Sequence, residues 1–156
     1  MAYEIERKFR VKNDSFKAEA FAELPVTQAY LCSANYNSVR IRIKGDKGYI
    51  TIKGARSVSG VTRFEWEKEI NLEEARDLLK MCGPDRIEKT RYLIKSGSHT
   101  FEVDEFYGDN LGLTIAEVEL DSEDEDFVKP DWLGDEVTGE VKYYNSMLIL
   151  NPYKNW

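Results

Sequence analysis

Glu4, Glu6 and Lys8 stand two residues apart in the segment EIERKF. In a strand, side chains two apart share a face and lie about 7 Å from one another along it. The pattern recurs down the chain: Arg40, Arg42 and Lys44; Lys53; Arg63, Glu65, Glu67 and Glu69; Lys89 and Arg91; Glu102 and Asp104; Glu117 and Glu119. The signs are grouped. RIR and KTR are basic, whereas EIE, EVD and EVE are acidic, although like neighbours repel and surface ladders usually mix signs. Grouped Arg and Lys suit a polyanion, Arg above all, because its planar fork takes phosphate oxygens two at a time. Grouped carboxylates beside that anion are costly unless divalent cations stand between them. Mg²⁺ does this, binding a few carboxylates and bridging to phosphate oxygens. The grouping predicts a metal–polyphosphate site. On any single strand, the wet face of a half-exposed sheet would explain such a pair as well.

The elements that must carry these residues are mostly strands. Tyr3–Val11 reads as one, and SVRIRIK (Ser38–Lys44) alternates strictly. Gly45-Asp46-Lys47-Gly48 is a hairpin turn returning as Gly48–Lys53, followed by a loop over Gly54–Gly60. Val26–Ser33, Thr62–Ile70, Asp85–Ile94, Ser98–Phe106 and Thr114–Leu120 complete about eight strands. Helices are expected over Phe16–Leu24, capped by Asn13-Asp14-Ser15 and ended by Pro25, and from Asn71 to Met81, stopped by Gly83-Pro84. A closing helix is expected over Glu140–Leu150. Hairpin-like connections favour an antiparallel sheet or barrel over βαβ units. The expected class is α+β, mainly β: an eight-stranded antiparallel barrel with a few flanking helices, in one domain over residues 1–156.

Composition narrows the partners. Charged residues make up 33% of the chain, against roughly 25% on average, and the formal net charge is −7. That balance argues against nucleic acid and anionic membrane, which need a basic footprint. It leaves room for a small anion in a local basic pocket. Cys32 and Cys82 form no zinc or CxxC spacing and read as free thiols. With no apolar leader and no run of transmembrane length, the expectation is a cytoplasmic protein, monomer or homodimer. The only histidine, His99, follows Gly97-Ser98 and reads as a surface residue.

In order along the chain, the motifs ExExK (Glu4, Glu6, Lys8), RxR (Arg40, Arg42), TIKG (Lys53), RxExE (Arg63, Glu65, Glu67), KxR (Lys89, Arg91), EVDxF (Glu102, Asp104) and AEVEL (Glu117, Glu119) resemble the CYTH domain proteins, the triphosphate tunnel metalloenzymes. The tail PDWLGDEVTG and YYNSMLILNP fits as well, so the resemblance covers almost the whole chain. It implies an eight-stranded tunnel whose cations hold a triphosphate and whose carboxylates bind Mg²⁺ or Mn²⁺. It also implies residue roles. Arg40, Arg42, Lys53, Lys89 and Arg91 would grip phosphates, with Glu65 and Glu67 as their partners and Lys142 as a further basic candidate. Glu4, Glu6, Glu117 and Glu119 would hold metal, with Glu102 and Asp104 adjacent. Lys8, Arg42 and Lys89 would act on the reacting phosphate, Lys8 by electrostatic positioning rather than as a base. The implied reaction is hydrolysis of inorganic triphosphate. Thiamine-triphosphatase, a class IV-type adenylate cyclase making cyclic AMP from ATP, or a triphosphate-binding module without turnover are the alternatives.

Overall fold

The computed structural model describes residues 3–34 and 36–156. Its strands are β1 (Tyr3–Val11), β2 (Ala22–Ser33), β3 (Asn37–Lys44), β4 (Lys47–Arg56), β5 (Thr62–Ile70), β6 (Ile87–Ser96), β7 (His99–Phe106), β8 (Thr114–Glu119) and β9 (Leu133–Glu136). Its α-helices are α1 (Phe16–Glu19), α2 (Leu72–Met81) and α3 (Asn145–Leu150). Eight strands close into an antiparallel ring, in the order β1-β5-β4-β3-β2-β6-β7-β8 and back to β1. β1 closes it by pairing with β8 along one edge and with β5 along the first residues of the other. β9 takes over that second edge at Phe9 and Val11. The expected eight-stranded barrel is present, with β9 as an addition that the turn-rich run PDWLGDEVTG concealed.

Apolar residues clothe the outside of this barrel. Phe9, Phe101, Val103, Ala116 and Val118 are buried beneath Phe16 of α1 and Trp132 of the connector before β9. On the opposite flank α2 lays Ala75 and Leu79 over Ala29 and Ile41. The contact there is close: a Cβ on Gly48 would stand 2.5 Å from that of Ala75, so only glycine lets the helix seat on β4. Asn71 caps α2, its side chain accepting from the Glu73 backbone N–H at 2.8 Å. A third cluster, Ile87, Phe106, Ile115, Val137, Tyr143 and Leu148, closes one end of the barrel under α3. With the apolar faces turned outward and covered, period-2 alternation turns the charged faces inward.

Three expectations are corrected. The first helix is one turn, Phe16–Glu19, because pairing with β6 takes over at once: Phe21 N–H donates to Leu93 O, and β2 begins at Ala22. Pro25 lies inside β2, not at its start. It is tolerated because β3 joins only from Val26, so residues 22–25 have a partner strand on one side alone, and on the other side Pro25 only accepts, its carbonyl taking the Gly45 N–H at 2.9 Å. The closing helix is split into a 3-10 turn at Val141–Tyr143 and α3, with Tyr144 extended between them at φ −68° and ψ 134°. That break lets Tyr143 enter the core while Tyr144 and Asn145 line the interior. No helix among the described residues is long and apolar enough to cross a membrane.

Candidate active site

The barrel encloses a cavity of 220 Å³. Nine cationic and seven carboxylate side chains line it. In a chain of net charge −7, this interior formally carries an excess of cations. An acidic protein thus keeps a locally cationic interior.

One wall, on β6, β7 and β8, is tightly paired. Asp104 grips Arg91 through both oxygens at 2.8 Å and takes Lys89 Nζ at 2.8 Å. Arg91 also reaches Glu102 at 2.8 Å. Burial works against the charge of Asp104, but Arg91 and Lys89 hold its carboxyl well below the ordinary range. Burial draws Lys89 down to about 8, against the pull of Asp104. Lys8, on β1, reaches Glu117 at 3.5 Å and the Tyr143 carbonyl at 3.3 Å.

The facing wall, on β3, β4 and β5, is loosely paired. Arg40 and Arg42 each approach Glu67 at only 3.5 Å, and Glu67 is already held by Thr51 Oγ1 at 2.7 Å. Nε of Arg40 and Nε of Arg42 are buried without a hydrogen-bond partner among the described residues. Burial, then the neighbouring Arg40 and Arg91, pulls Arg42 down to about 10. Lys53 sits between Glu4, at 3.0 Å, and Glu65, at 3.3 Å. Against its burial, Lys53 and a hydrogen bond with Glu65 bring Glu4 down to about 2, while burial and Glu4 push Glu65 up to about 7.

The register places Glu6 directly opposite Glu119. Neither has an ion pair among the described residues, and like charges in register repel. Burial, then Glu117 and Glu4, pushes the Glu6 carboxyl well above its ordinary range; burial, then Glu4 and Glu102, raises Glu119. A divalent cation between them would relieve that repulsion. Among the described residues no three carboxylate, histidine or cysteine groups converge on a ready-made cage. Mg²⁺ does not need one: it binds through one or two carboxylates together with phosphate oxygens and water. The donor set fits such an ion.

Of the candidates from sequence, Glu4, Glu6, Lys8, Arg40, Arg42, Lys53, Glu65, Glu67, Lys89, Arg91, Glu102, Glu117 and Glu119 line one cavity. Two do not. Asp104 lies behind the lining, 1% exposed, with both oxygens engaged by Arg91 and Lys89; it is a counter-ion rather than an open ligand. Lys142 is exposed on the outside, its ammonium 4.5 Å from the Trp156 ring centre. Glu69 is exposed and pairs with Lys47, and His99 pairs with Glu125 outside the cavity. Residues not given a role from sequence also line the interior: Tyr30, Ser38, Lys44, Arg56, Arg63, Tyr144, Asn145 and Ser146. Lys44 and Arg63 carried the signal, in the same alternating runs as their neighbours. Arg56 did not, because the register shifts between Lys53 and Arg56. The extra residue of a bulge brings both inward at a spacing of three.

The CYTH domain model matches residues 2–146. An inorganic triphosphatase of Acetivibrio thermocellus is 47% identical, covering 100% of this chain and 99% of its own. One of Nitrosomonas europaea is 36% identical over 95% of this chain and 97% of its own. A crystal structure described as an inorganic triphosphatase superposes with a TM-score of 0.66 at 33% identity, covering 96% of each chain. A closed ring of eight strands, lined by sign-sorted charges and matched along nearly its whole length, makes this chain a member of the CYTH domain family.

Proposed function

We propose that this chain hydrolyses inorganic triphosphate to diphosphate and phosphate with the help of Mg²⁺ or Mn²⁺. The observation that carries the reading is the pair of arginines Arg40 and Arg42, whose buried Nε–H groups have no partner among the described residues while they line a cavity rich in cations. Buried donors without acceptors are costly, and a chain of phosphate oxygens would satisfy them. The names of the relatives support the same substrate.

Arg40, Arg42 and Lys53 bind and orient the phosphate chain from one wall. Arg91 and Lys89, fixed by Asp104, stabilise the charge that gathers on the phosphoryl oxygens during transfer. Lys8 stands between Glu117 and the substrate and positions charge there. Water attacks the terminal phosphorus in line, its oxygen forming the new P–O bond as the bridging P–O bond breaks. The diphosphate leaves with the bridging oxygen, and the water protons pass to solvent and product. Glu6 and Glu119 would hold the divalent ion, with Glu4, Glu117 and Glu102 around them. When bound, that ion neutralises and orients phosphate oxygens. A cytoplasmic setting accords with the two free cysteines.

Incubating the protein with tripolyphosphate and Mg²⁺ or Mn²⁺ should release phosphate. The reading fails if neither ion supports release. ATP and thiamine triphosphate, with cyclic AMP, diphosphate and phosphate all measured, separate hydrolysis from cyclisation and one triphosphate from another. Tight binding of tripolyphosphate without product would make the protein a binding module.

A further inference from the structure

Asn145 opens α3 and faces the cavity. Its Oδ1 accepts from Lys89 Nζ at 3.0 Å and from Gln28 Nε2 at 3.2 Å. An ammonium can only donate, so Lys89 decides which amide atom of Asn145 it meets. Gln28 must then offer its own nitrogen to the same oxygen. The cost appears on Gln28, which is fully buried and whose Oε1 has no hydrogen-bond partner among the described residues. Turning the Gln28 amide over would set oxygen against oxygen. A buried acceptor left alone is unfavourable, so this chain of three side chains is arranged around the lysine and not around its own stability.

The docking of α3 does not need the amide. Leu148 and Tyr143 are buried against Ile87, Phe106 and Ile115. What Asn145 adds is direction. An ammonium has three donors; Asp104 takes one at 2.8 Å and Asn145 another at 3.0 Å. The third remains for the cavity that Lys89 lines.

We propose that Asn145 is a positioning residue, which with Asp104 aims the ammonium of Lys89 at the bound phosphate chain. This rests on the placing of Lys89 among the triphosphate contacts. Displacing a catalytic group by about 1 Å can cost on the order of 100-fold in rate.

The test is a double-mutant cycle with Asn145→Ala and Lys89→Met, assayed by phosphate release from tripolyphosphate with Mg²⁺, with thermal melts alongside. Asn145→Ala should lower kcat by roughly 10- to 100-fold. In the Lys89→Met background the same change should matter by less than about twofold, because contacting residues couple whereas independent ones do not. A merely structural asparagine would lower the melting temperature and multiply its loss with that of Lys89→Met. Multiplied losses, or an Asn145→Ala protein with wild-type kcat, overturn the proposal. Should Asn145→Ala fail to fold, Asn145→Ser, which keeps a small acceptor, replaces it in the cycle. A wild-type protein that releases no phosphate sinks the triphosphatase reading instead. The same four proteins are then compared for tripolyphosphate affinity by calorimetry, where additive losses overturn the Asn145–Lys89 coupling.

Discussion

Arg91 on β6 and Arg42 on β3 are buried in one cavity, 5% and 6% exposed, yet their guanidinium groups live in opposite conditions. Arg91 has Asp104 on two nitrogens and Glu102 on a third, and these carboxylates raise its pKa against the effect of burial. Arg42 has one distant carboxylate, an Nε without a partner among the described residues, and a pKa pulled down by burial and by two other arginines. The first is held in place before any substrate arrives. The second lacks an acceptor that a phosphate chain would supply. A tunnel that grips a flexible polyanion gains from both, a rigid wall for geometry and an unsatisfied wall for affinity.

The contrast can be broken most forcefully at Asp104. Asp104→Ala leaves Lys89 and Arg91 buried without their shared counter-ion and should cost about 3–5 kcal/mol of stability, measured by urea unfolding at neutral pH. A loss below about 1 kcal/mol, the scale of an exposed pair, would mean the wall is not held as described. Because the folded pKa of Asp104 is depressed, its stabilisation is present at neutral pH and is lost only as pH falls through the folded value.

On the other wall the effect should fall on catalysis. Arg42→Met should lower kcat/KM for tripolyphosphate by about 10²- to 10³-fold, the scale for removing one donor to developing charge. Its melting temperature should hold or rise, since a poorly satisfied buried cation is gone. A variant that unfolds would put Arg42 on the same footing as Arg91. Glu6→Gln or Glu119→Gln should raise the Mg²⁺ concentration for half-maximal activity by at least about tenfold, because even changes behind a ligand cost that much. Glu65→Gln, beside Lys53, should leave that concentration nearly unchanged. Lys142→Ala should alter kcat/KM by less than about twofold, the scale of a surface substitution.

Alternation makes most of this lining legible in the sequence, because a strand shows its two faces in the spacing of its letters. It does not show which carboxylates are engaged. Glu102, Asp104, Glu117 and Glu119 look alike in sequence, and only the register of β6 against β7 assigns Asp104 to Arg91. Arg56 escapes because a bulge breaks the period on which the reading depends. Lys142 is offered by the resemblance alone; in a segment that reads as one helix, the extended Tyr144 resets the phase, so that Asn145 lines the cavity and Lys142 does not. The missed strand β9 is four residues long and lacks any alternating apolar pattern.

The ring closes through β1, whose partners include Phe64 on β5, Glu119 on β8 and Glu136 on β9. The first strand therefore waits for nearly the last. Pairings of such sequence separation carry a large loop-closure cost and form late. Glu6 and Glu119, which face one another across that seam, cannot meet until more than a hundred intervening residues have been made and folded back. During synthesis the emerging chain presents arginines and glutamates but no assembled tunnel, so a partly made molecule would have no catalytic constellation with which to act on the cell's triphosphates.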